Sequence, residues 1–256
     1  MESNVPPQAG SQILSKILSP AIRFWLRSQV ESAAALEFQV SGRDRQILRG
    51  WIPTVQVTAT QVVYQGLHLS QAQLKASQIR INLNQVVQGN PLRLLEIVPV
   101  FGEIQLTQAD LTASSESPLL HQGLTDVLRN ILRNLLESLA VPELAGLSIQ
   151  DMTLKAPHLI LKSGQITVKT EVVSPVANSP ELLCWHLLLQ TAPRLVTPSQ
   201  LQLADLTLEI TKLNQAASKQ ILPPFEIDLG QEVNLQQLEI TPTQIICTGQ
   251  VNVVPA

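Results

Sequence analysis

Apolar side chains recur at every second position through most of this chain. Residues 55–59, 104–106, 166–168 and 206–210 show the pattern, and Gly, Pro, Asn or Asp residues separate such segments. Successive side chains of a strand point to opposite faces of its sheet, so period-two alternation predicts half-buried strands. The same pattern predicts strands at residues 67–69, 79–83, 111–113, 149, 152–156, 238–240, 245–247 and 251–253.

Two segments have helical spacing instead. Residues 11–26 place apolar residues three and four apart, and Pro20 predicts a kink or a division of that helix. Ser117 is a suitable N-cap for a second helix, Pro118 suits its first position, and the apolar stripe that follows ends near 138–141. Two helices among many alternating strands indicate an α+β chain with a mostly antiparallel sheet.

Composition narrows the class of protein. The chain has 256 residues, 45% hydrophobic and only 3% aromatic, and its charged fraction of 14% is below the roughly 25% of typical domains. This excludes a disordered, collagen-like or disulfide-scaffold protein, and the net charge of −3 gives no basic signature for nucleic acid. We expect a flexible N-terminus over 1–10 and a single domain over 11–256, with a weak internal repeat between 66–81 and 146–161.

Catalytic motifs are absent from the sequence. It contains no nucleophile elbow, P-loop, dinucleotide fingerprint, zinc-protease helix or EF-hand loop, and its four histidines are scattered. Cys184 and His186 share one strand face, and Trp185 is expected on the core face; Cys247 is expected to be a small buried hydrophobe. We therefore expect no enzyme activity, no metal site and no cofactor.

Charge and targeting signals point to a location. Residues 16–93 hold nine basic and three acidic side chains, whereas the chain from Glu137 onward holds six and eleven. No secretory signal and no apolar run of about 18 residues is present. These features predict a cytoplasmic protein with one basic end, peripheral on the cytosolic face of a membrane.

Six short motifs carry a family resemblance. They are residues 17–27 (ILSPAIRFWLR), 42–48 (GRDRQIL), 63–70 (VYQGLHLS), 80–83 (RINL), 91–95 (PLRLL) and 107–111 (TQADL). Together they resemble the cyanobacterial branch of the LmeA-like phospholipid-binding family, formerly a domain of unknown function. The likeness runs from about residue 11 to 165, and the last third of the chain fits only in its strand pattern.

The resemblance implies a fold and an activity. The fold is an elongated, strongly curved, mostly antiparallel sheet wrapped around helices, similar to tubular (bactericidal/permeability-increasing-like) lipid-binding domains. The activity is non-catalytic binding, or transfer, of phospholipid or glycolipid in an aliphatic cavity, with transient docking on anionic membranes. Mycobacterial members carry an export signal or anchor that this sequence does not show, so their cell-envelope role is not carried over.

Aliphatic residues on the predicted strands and the second helix are the candidates for contact with lipid tails. They are Val55, Val57, Leu67, Leu69, Leu74, Ile79, Ile81, Ile104, Leu106, Leu124, Leu128, Ile131, Leu135, Ile149 and Leu154.

Arginines and tryptophans of the first basic segment are the candidates for contact with a head group or membrane surface, because guanidinium groups match phosphate and Trp favours bilayer interfaces. They are Arg23, Trp25, Arg27, Arg43, Arg45, Arg49 and Trp51. The alternative function is a structural or assembly protein whose apolar surface binds a protein partner, which the sequence does not identify.

Overall fold

The fold consists of two antiparallel sheets and five helices, in a computed structural model that describes residues 19–138, 144, 147–175, 182–212 and 216–255. The strands are β1 (Ser32–Ser41), β2 (Trp51–Tyr64), β3 (Leu67–Arg80), β4 (Val98–Thr107), β5 (Thr153–Lys162), β6 (Gln165–Pro175), β7 (Leu182–Thr197), β8 (Gln200–Lys212), β9 (Ser218–Ile221), β10 (Phe225–Asp228), β11 (Val233–Ile240) and β12 (Gln244–Val253). The helices are α1 (Ser19–Ser28), α2 (Asp44–Ile47), α3 (Leu83–Val87), α4 (Gln108–Ala113) and α5 (Pro118–Ser138).

The strands divide between the two sheets. Sheet one has the order β1-β2-β3-β4-β12-β11, so the last two strands of the chain return to complete the sheet that the first four begin. Sheet two has the order β10-β8-β7-β6-β5, and β9 pairs with another part of β8. Every strand pairing is antiparallel, which confirms a sheet-dominated, mostly antiparallel fold.

The predicted helices are confirmed where the structure describes them. α5 begins at Pro118, and the Ser117 hydroxyl accepts a hydrogen bond from the backbone N–H of Leu120 at 3.3 Å, as an N-cap does. α1 begins at Ser19, so the predicted helical residues 11–18 lie outside the described residues.

Three strand predictions are wrong. Residues 111–113 belong to α4, because Thr107 and Asp110 form a capping box in which each side chain accepts a hydrogen bond from the other's backbone N–H. This capping box, which starts a helix, outweighs the apolar alternation over three residues that predicted a strand. Leu83 begins α3 after the paired strand ends, and Ile149 lies in a turn.

The main core lies between α5 and sheet two. Leu128, Ile131, Leu132 and Leu135 are at most 2% exposed and form the inner stripe of α5. They share one apolar cluster with the buried residues Trp185, Leu187, Leu189, Leu208 and Ile210 of β7 and β8. Cys184 is half buried and His186 is exposed, so the prediction that Trp185 alone of these three faces the core is confirmed.

One side chain joins the two sheets at the start of α4. The Gln108 amide donates to the carbonyl of Leu159 at 2.7 Å and accepts from the backbone N–H of Leu161 at 2.8 Å. The Gln108 side chain thereby forms the pair of hydrogen bonds to the β5 backbone that a residue of a neighbouring strand would form. A backbone hydrogen bond from Gly164 to Ile240 (2.9 Å) adds a second link between the sheets.

The two segments of the predicted repeat lie in different sheets. Residues 66–81 form β3 inside sheet one, whereas the second copy ends in β5 at the edge of sheet two. In both copies the leucine is covered (Leu74 half buried, Leu154 buried) and the following lysine is exposed. The repeat itself stays a prediction.

Candidate functional site

One face of sheet one is apolar across all six strands. The registers of the strand pairs align its side chains into three rows that cross the sheet. The rows are Val40, Val55, Ala76, Val100, Val251 and Val233; Phe38, Val57, Leu74, Gly102, Gly249 and Leu235; and Leu36, Ala59, Ala72, Ile104, Cys247 and Leu238. We refer to these eighteen residues as the apolar face.

The apolar face is only partly covered by the rest of the chain. Four of its eighteen residues are buried, one is exposed, and the other thirteen are half buried. Five strand spacings of about 4.8 Å give it a width of about 24 Å. The sheet therefore keeps a broad hydrocarbon surface in partial contact with solvent, which hydrophobic burial disfavours unless something covers it.

The two ends of the face are better covered than its middle. At one end α1 and α2 contribute Ile22 and Ile47 to a buried cluster with Ile52, Val55 and Ile79. At the other end Ala59, Val62 and Leu69 form a smaller cluster. Leu74 of the middle row and Cys247 of the third row belong to neither cluster, and both are half buried.

A glycine pair shapes the centre of the face. Gly102 and Gly249 stand opposite each other on β4 and β12 and remove two side chains from the middle row. A Cβ at Gly102 would lie 2.9 Å from Leu74 Cδ2, so the leucine side chain occupies part of that space. A Cβ at Gly249 would lie 2.6 Å from the carbonyl oxygen of Asn234, so β11 approaches closely there.

The opposite face of the same sheet is polar. The residues that alternate with the middle row include Gln39, Gln56, Lys75 and Gln250, with Phe101 between the last two. Sheet one is thus amphipathic, with one face suited to hydrocarbon and the other to water.

Two ionisable side chains, one on sheet one and one in the adjoining helix α4, have altered pKa values. Burial raises the pKa of the Cys247 thiol, which lies in the row of Ile104 on the apolar face. Burial also acts to raise the pKa of Asp110, but hydrogen bonds from Ser70 and Thr107 outweigh it and hold the pKa below its usual value. Asp110 therefore stays ionised and fixes α4 to the end of β4, whereas the apolar face keeps its thiol neutral at pH 7.

The structure separates the predicted lipid-tail residues into groups. Val55, Val57, Leu74 and Ile104 lie on the apolar face. Ile79 and Ile81 pack in the cluster beneath α1, and Leu67, Leu69 and Leu106 lie in or against the smaller cluster at the other end. The remaining six residues are in or against the main core: Leu124, Leu128, Ile131, Leu135, Ile149 and Leu154.

The predicted head-group residues fall into two adjacent sets. Arg23, Trp25 and Arg27 lie on α1, and the Arg23 guanidinium carbon is 5.8 Å from the centre of the Phe38 ring. The second set surrounds α2: Arg43, Arg45, Arg49 and Trp51. All five arginines are exposed, and within the described part of the chain none of them forms an ion pair.

Sequence reasoning missed fourteen of the eighteen residues of the apolar face. Phe38, Val40, Val100, Gly102 and Gly249 were not among the predicted contacts, although Phe38 and Val40 alternate visibly in the sequence. Glycine carries no apolar signal, and only the pairing of β4 with β12 brings the two glycines together.

A depression lined by both charged and apolar residues lies on sheet two. It has a volume of about 350 Å³ and is lined by His158, Lys169, Glu171, His186 and Glu209, among others. His186 Nδ1 lies 3.6 Å from Glu171 Oε1. The described residues contain no cluster of three or more His, Cys, Asp or Glu side chains that could hold a metal ion.

Fold and site together define a class: a protein of antiparallel sheets that presents a wide, half-covered aliphatic surface. The chain belongs to the LmeA-like phospholipid-binding family, whose model matches residues 9–250. The match includes the last third of the chain, where the motifs were weakest. No curated protein and no solved structure matches the chain.

None of the helices within residues 19–138 combines the length and hydrophobicity needed to cross a bilayer.

Proposed function

We propose that this protein binds a phospholipid or glycolipid without catalysis, with the acyl chains lying on the apolar face of sheet one. The observation that carries the proposal is the partial burial of thirteen of the eighteen residues of that face. Each methylene removed from water contributes about 0.8 kcal/mol, so an acyl chain needs only shape and hydrocarbon surface for binding. Membership of a phospholipid-binding family supports the same ligand class.

The proposal includes the wider arrangement that the family resemblance implies. In it the two sheets curve around helices as in tubular lipid-binding domains, and bound lipid is exchanged during transient contact with a membrane. The basic residues of α1 and α2 adjoin the apolar face, because Ile22 and Ile47 anchor both helices in the cluster that contains Val55. A lipid phosphate near these helices therefore meets exposed guanidinium groups.

The first experiment is native mass spectrometry of the purified protein, followed by organic extraction and lipid analysis. We expect a stoichiometric adduct identified as phospholipid or glycolipid. A protein that carries no adduct, and takes none up from liposomes, contradicts lipid binding and favours the alternative of an assembly protein whose apolar surface binds a protein partner.

A matched pair of variants on β3 tests the position of the chains. Leu74→Glu places a carboxylate on the apolar face, whereas Gln73→Glu places the same charge on the opposite, exposed face one residue away. We expect Leu74→Glu to abolish the adduct and Gln73→Glu to retain it. Equal adducts in both folded variants would place the lipid elsewhere.

Docking on anionic membranes is tested by charge reversal. The test variant changes Arg43, Arg45 and Arg49 to Glu. The control variant changes Lys155, Lys162 and Lys169 to Glu, which alters the net charge by the same amount at exposed positions of sheet two. We expect only the arginine variant to lose binding to anionic liposomes, and to keep its bound lipid. Unchanged liposome binding by that variant contradicts the role of these arginines.

A further inference from the structure

Exposed apolar side chains crowd one end of sheet one, beside the arginines of α2. Residues 43–51 and 80–97 form this end, which we call the tip. Within it Val87, Leu95 and Ile97 are 55–57% exposed, Leu48 is 46% exposed and Trp51 is 36% exposed. Of these five residues, only Trp51 is among the predicted contacts with a head group or membrane surface.

Backbone pairing places the tip segments side by side. Trp51 is the register partner of Arg80. On the other side of that strand, the backbone N–H of Leu95 donates to the carbonyl of Arg80 at 2.9 Å, and Ile81 bridges to Leu94. Trp51 and Leu95 therefore lie on either side of Arg80, within about 10 Å of one another.

The tip is rigidly anchored from beneath. Ile47, Ile52, Ile81 and Leu83 are at most 4% exposed and share one buried cluster. The Asn82 side chain closes the loop after α3, because it accepts from the backbone N–H of Arg93 at 2.7 Å and donates to the carbonyl of Pro91 at 3.0 Å. The exposed apolar side chains are therefore attached to backbone that is already ordered. Binding of these side chains to a partner costs little further conformational entropy of the backbone.

Charge favours one kind of partner for the tip. Its two segments contain five arginines and two acids, a net charge of +3 in a chain whose net charge is −3. Arg80 pairs with Glu96 at 3.6 Å, whereas Arg45, Arg49 and Arg93 are exposed and form no ion pair with any described residue. Apolar groups ringed by unpaired arginines suit a bilayer surface with anionic lipids, where hydrocarbon lies just below phosphate.

We propose that the tip inserts into the interface of anionic membranes, with Leu48, Trp51, Val87, Leu95 and Ile97 entering the acyl boundary while the unpaired arginines contact lipid phosphates. This inference rests on the proposed docking on anionic membranes and adds the element that penetrates. Because the tip covers the cluster at one end of the apolar face, it also brings that face to the membrane from which a lipid is taken.

The test compares two double variants in flotation with vesicles of phosphatidylcholine and phosphatidylglycerol. Leu95→Asp with Ile97→Asp alters the tip, and Leu182→Asp with Ile221→Asp alters exposed residues of sheet two that are 61% and 82% exposed. We expect the tip variant to bind vesicles at least about tenfold more weakly, since each apolar side chain contributes more than one factor of ten when fully buried. The control variant is expected to bind as the unmodified protein does.

Depth is measured by quenching of tryptophan fluorescence with brominated phospholipid in the same vesicles. We expect strong quenching in the unmodified protein and loss of most of it in Trp51→Phe. Quenching that Trp51→Phe leaves unchanged overturns insertion of the tip.

Other outcomes separate this inference from the proposed function. If the tip variant binds vesicles normally while charge reversal at Arg43, Arg45 and Arg49 abolishes binding, the tip only adsorbs electrostatically and insertion is overturned. If the tip variant loses vesicle binding yet keeps the co-purified lipid seen by mass spectrometry, insertion is supported and lipid binding by the apolar face stands independently. If both double variants lose vesicle binding, the added negative charge explains the loss, and insertion of the tip is overturned.

Discussion

Asp110 accepts hydrogen bonds from three donors at the junction of β4 and α4. Thr107 supplies its backbone N–H and its hydroxyl, each at 2.7 Å, and Ser70 of β3 supplies a hydroxyl. Burial acts to raise the pKa of the carboxyl, but these donors lower it by a larger amount. One side chain thus caps a helix and ties that helix to the neighbouring strand.

We expect Asp110→Asn to lower the free energy of unfolding by about 1–3 kcal/mol at pH 7. A carboxyl whose pKa is lower in the folded state stabilises the fold above its unfolded pKa of about 3.9, and loses that contribution as the pH falls through the folded value. The difference between variant and unmodified protein should therefore shrink below about pH 4 in urea titrations. Asp126→Asn, at an exposed ion pair, serves as the control; an Asp110 effect that is constant with pH contradicts the assignment.

Cys247 offers a direct reporter of the apolar face. Burial raises the pKa of its thiol, so little reactive thiolate is present near neutral pH. We expect iodoacetamide to alkylate Cys247 slowly, faster as the pH rises, and more slowly still when phospholipid is bound. Cys184 is also half buried but lies on sheet two, and its rate should not respond to lipid. Mass spectrometry of the Cys184→Ser and Cys247→Ser variants separates the two rates, and equal protection of both thiols would count against the site.

At the scale of elements, sheet one depends on close contact between β11, β12 and β4. The register between β11 and β12 shifts between Leu235 and Gln237, next to Gly249. This bulge and the missing side chain let β11 cross close to β12 at the centre of the apolar face. Gly102 and Gly249 therefore differ in what lies next to them. Gly102 faces the side chain of Leu74, whereas Gly249 faces the backbone of β11.

Alanine substitutions at the two glycines should differ in stability. At Gly249 the new Cβ meets the Asn234 carbonyl oxygen and the Leu235 Cα at 2.6 and 2.9 Å, so backbone has to move, at a cost of about 1–3 kcal/mol. At Gly102 it meets only the end of the Leu74 side chain, which can rotate away. We expect Gly249→Ala to lower the urea midpoint clearly and Gly102→Ala to change it little. Equal urea midpoints for the two alanine variants would show that the backbone of β11 moves away from the new Cβ at little cost in stability.

At the scale of the whole molecule, the two sheets differ in how completely their apolar faces are buried. Sheet two and α5 enclose the main core, whereas sheet one leaves its apolar face half covered. Gln108 is one link between them, with its side-chain amide hydrogen-bonded to the backbone at Leu159 and Leu161, two residues that are 6% and 4% exposed. These two hydrogen bonds fasten the start of α4, beside β4 of sheet one, to β5 of sheet two.

We expect Gln108→Ala to cost about 1–3 kcal/mol, because it removes a partner from a buried backbone N–H and carbonyl. Urea unfolding measures the loss, and hydrogen exchange at the Leu161 amide should accelerate. Gln73→Ala, at an exposed glutamine of sheet one, is expected to change neither quantity. If both variants unfold alike, the Gln108 link does not stabilise the assembled sheets.

Local patterns determined much of this architecture. Ser117 and Pro118 fixed the start of α5, and alternation identified most strands, because these signals depend on neighbours a few residues away. The sequence also placed Trp185 on the core face correctly. It failed at 111–113, where a capping signal was overlooked, and its motifs indicated the family without showing which aliphatic residues stay accessible.

Only the tertiary structure decided which apolar surface remains half covered. Leu128 and Leu74 are equally apolar in the sequence, yet one is sealed between α5 and sheet two while the other lies at the centre of the apolar face. Likewise Trp51 and Leu95 come to lie on either side of Arg80 only through backbone hydrogen bonds between segments that are distant in the sequence. Hydrophobicity is a property of each residue, but burial depends on what distant segments place above it, and that is decided by the packing of the whole chain.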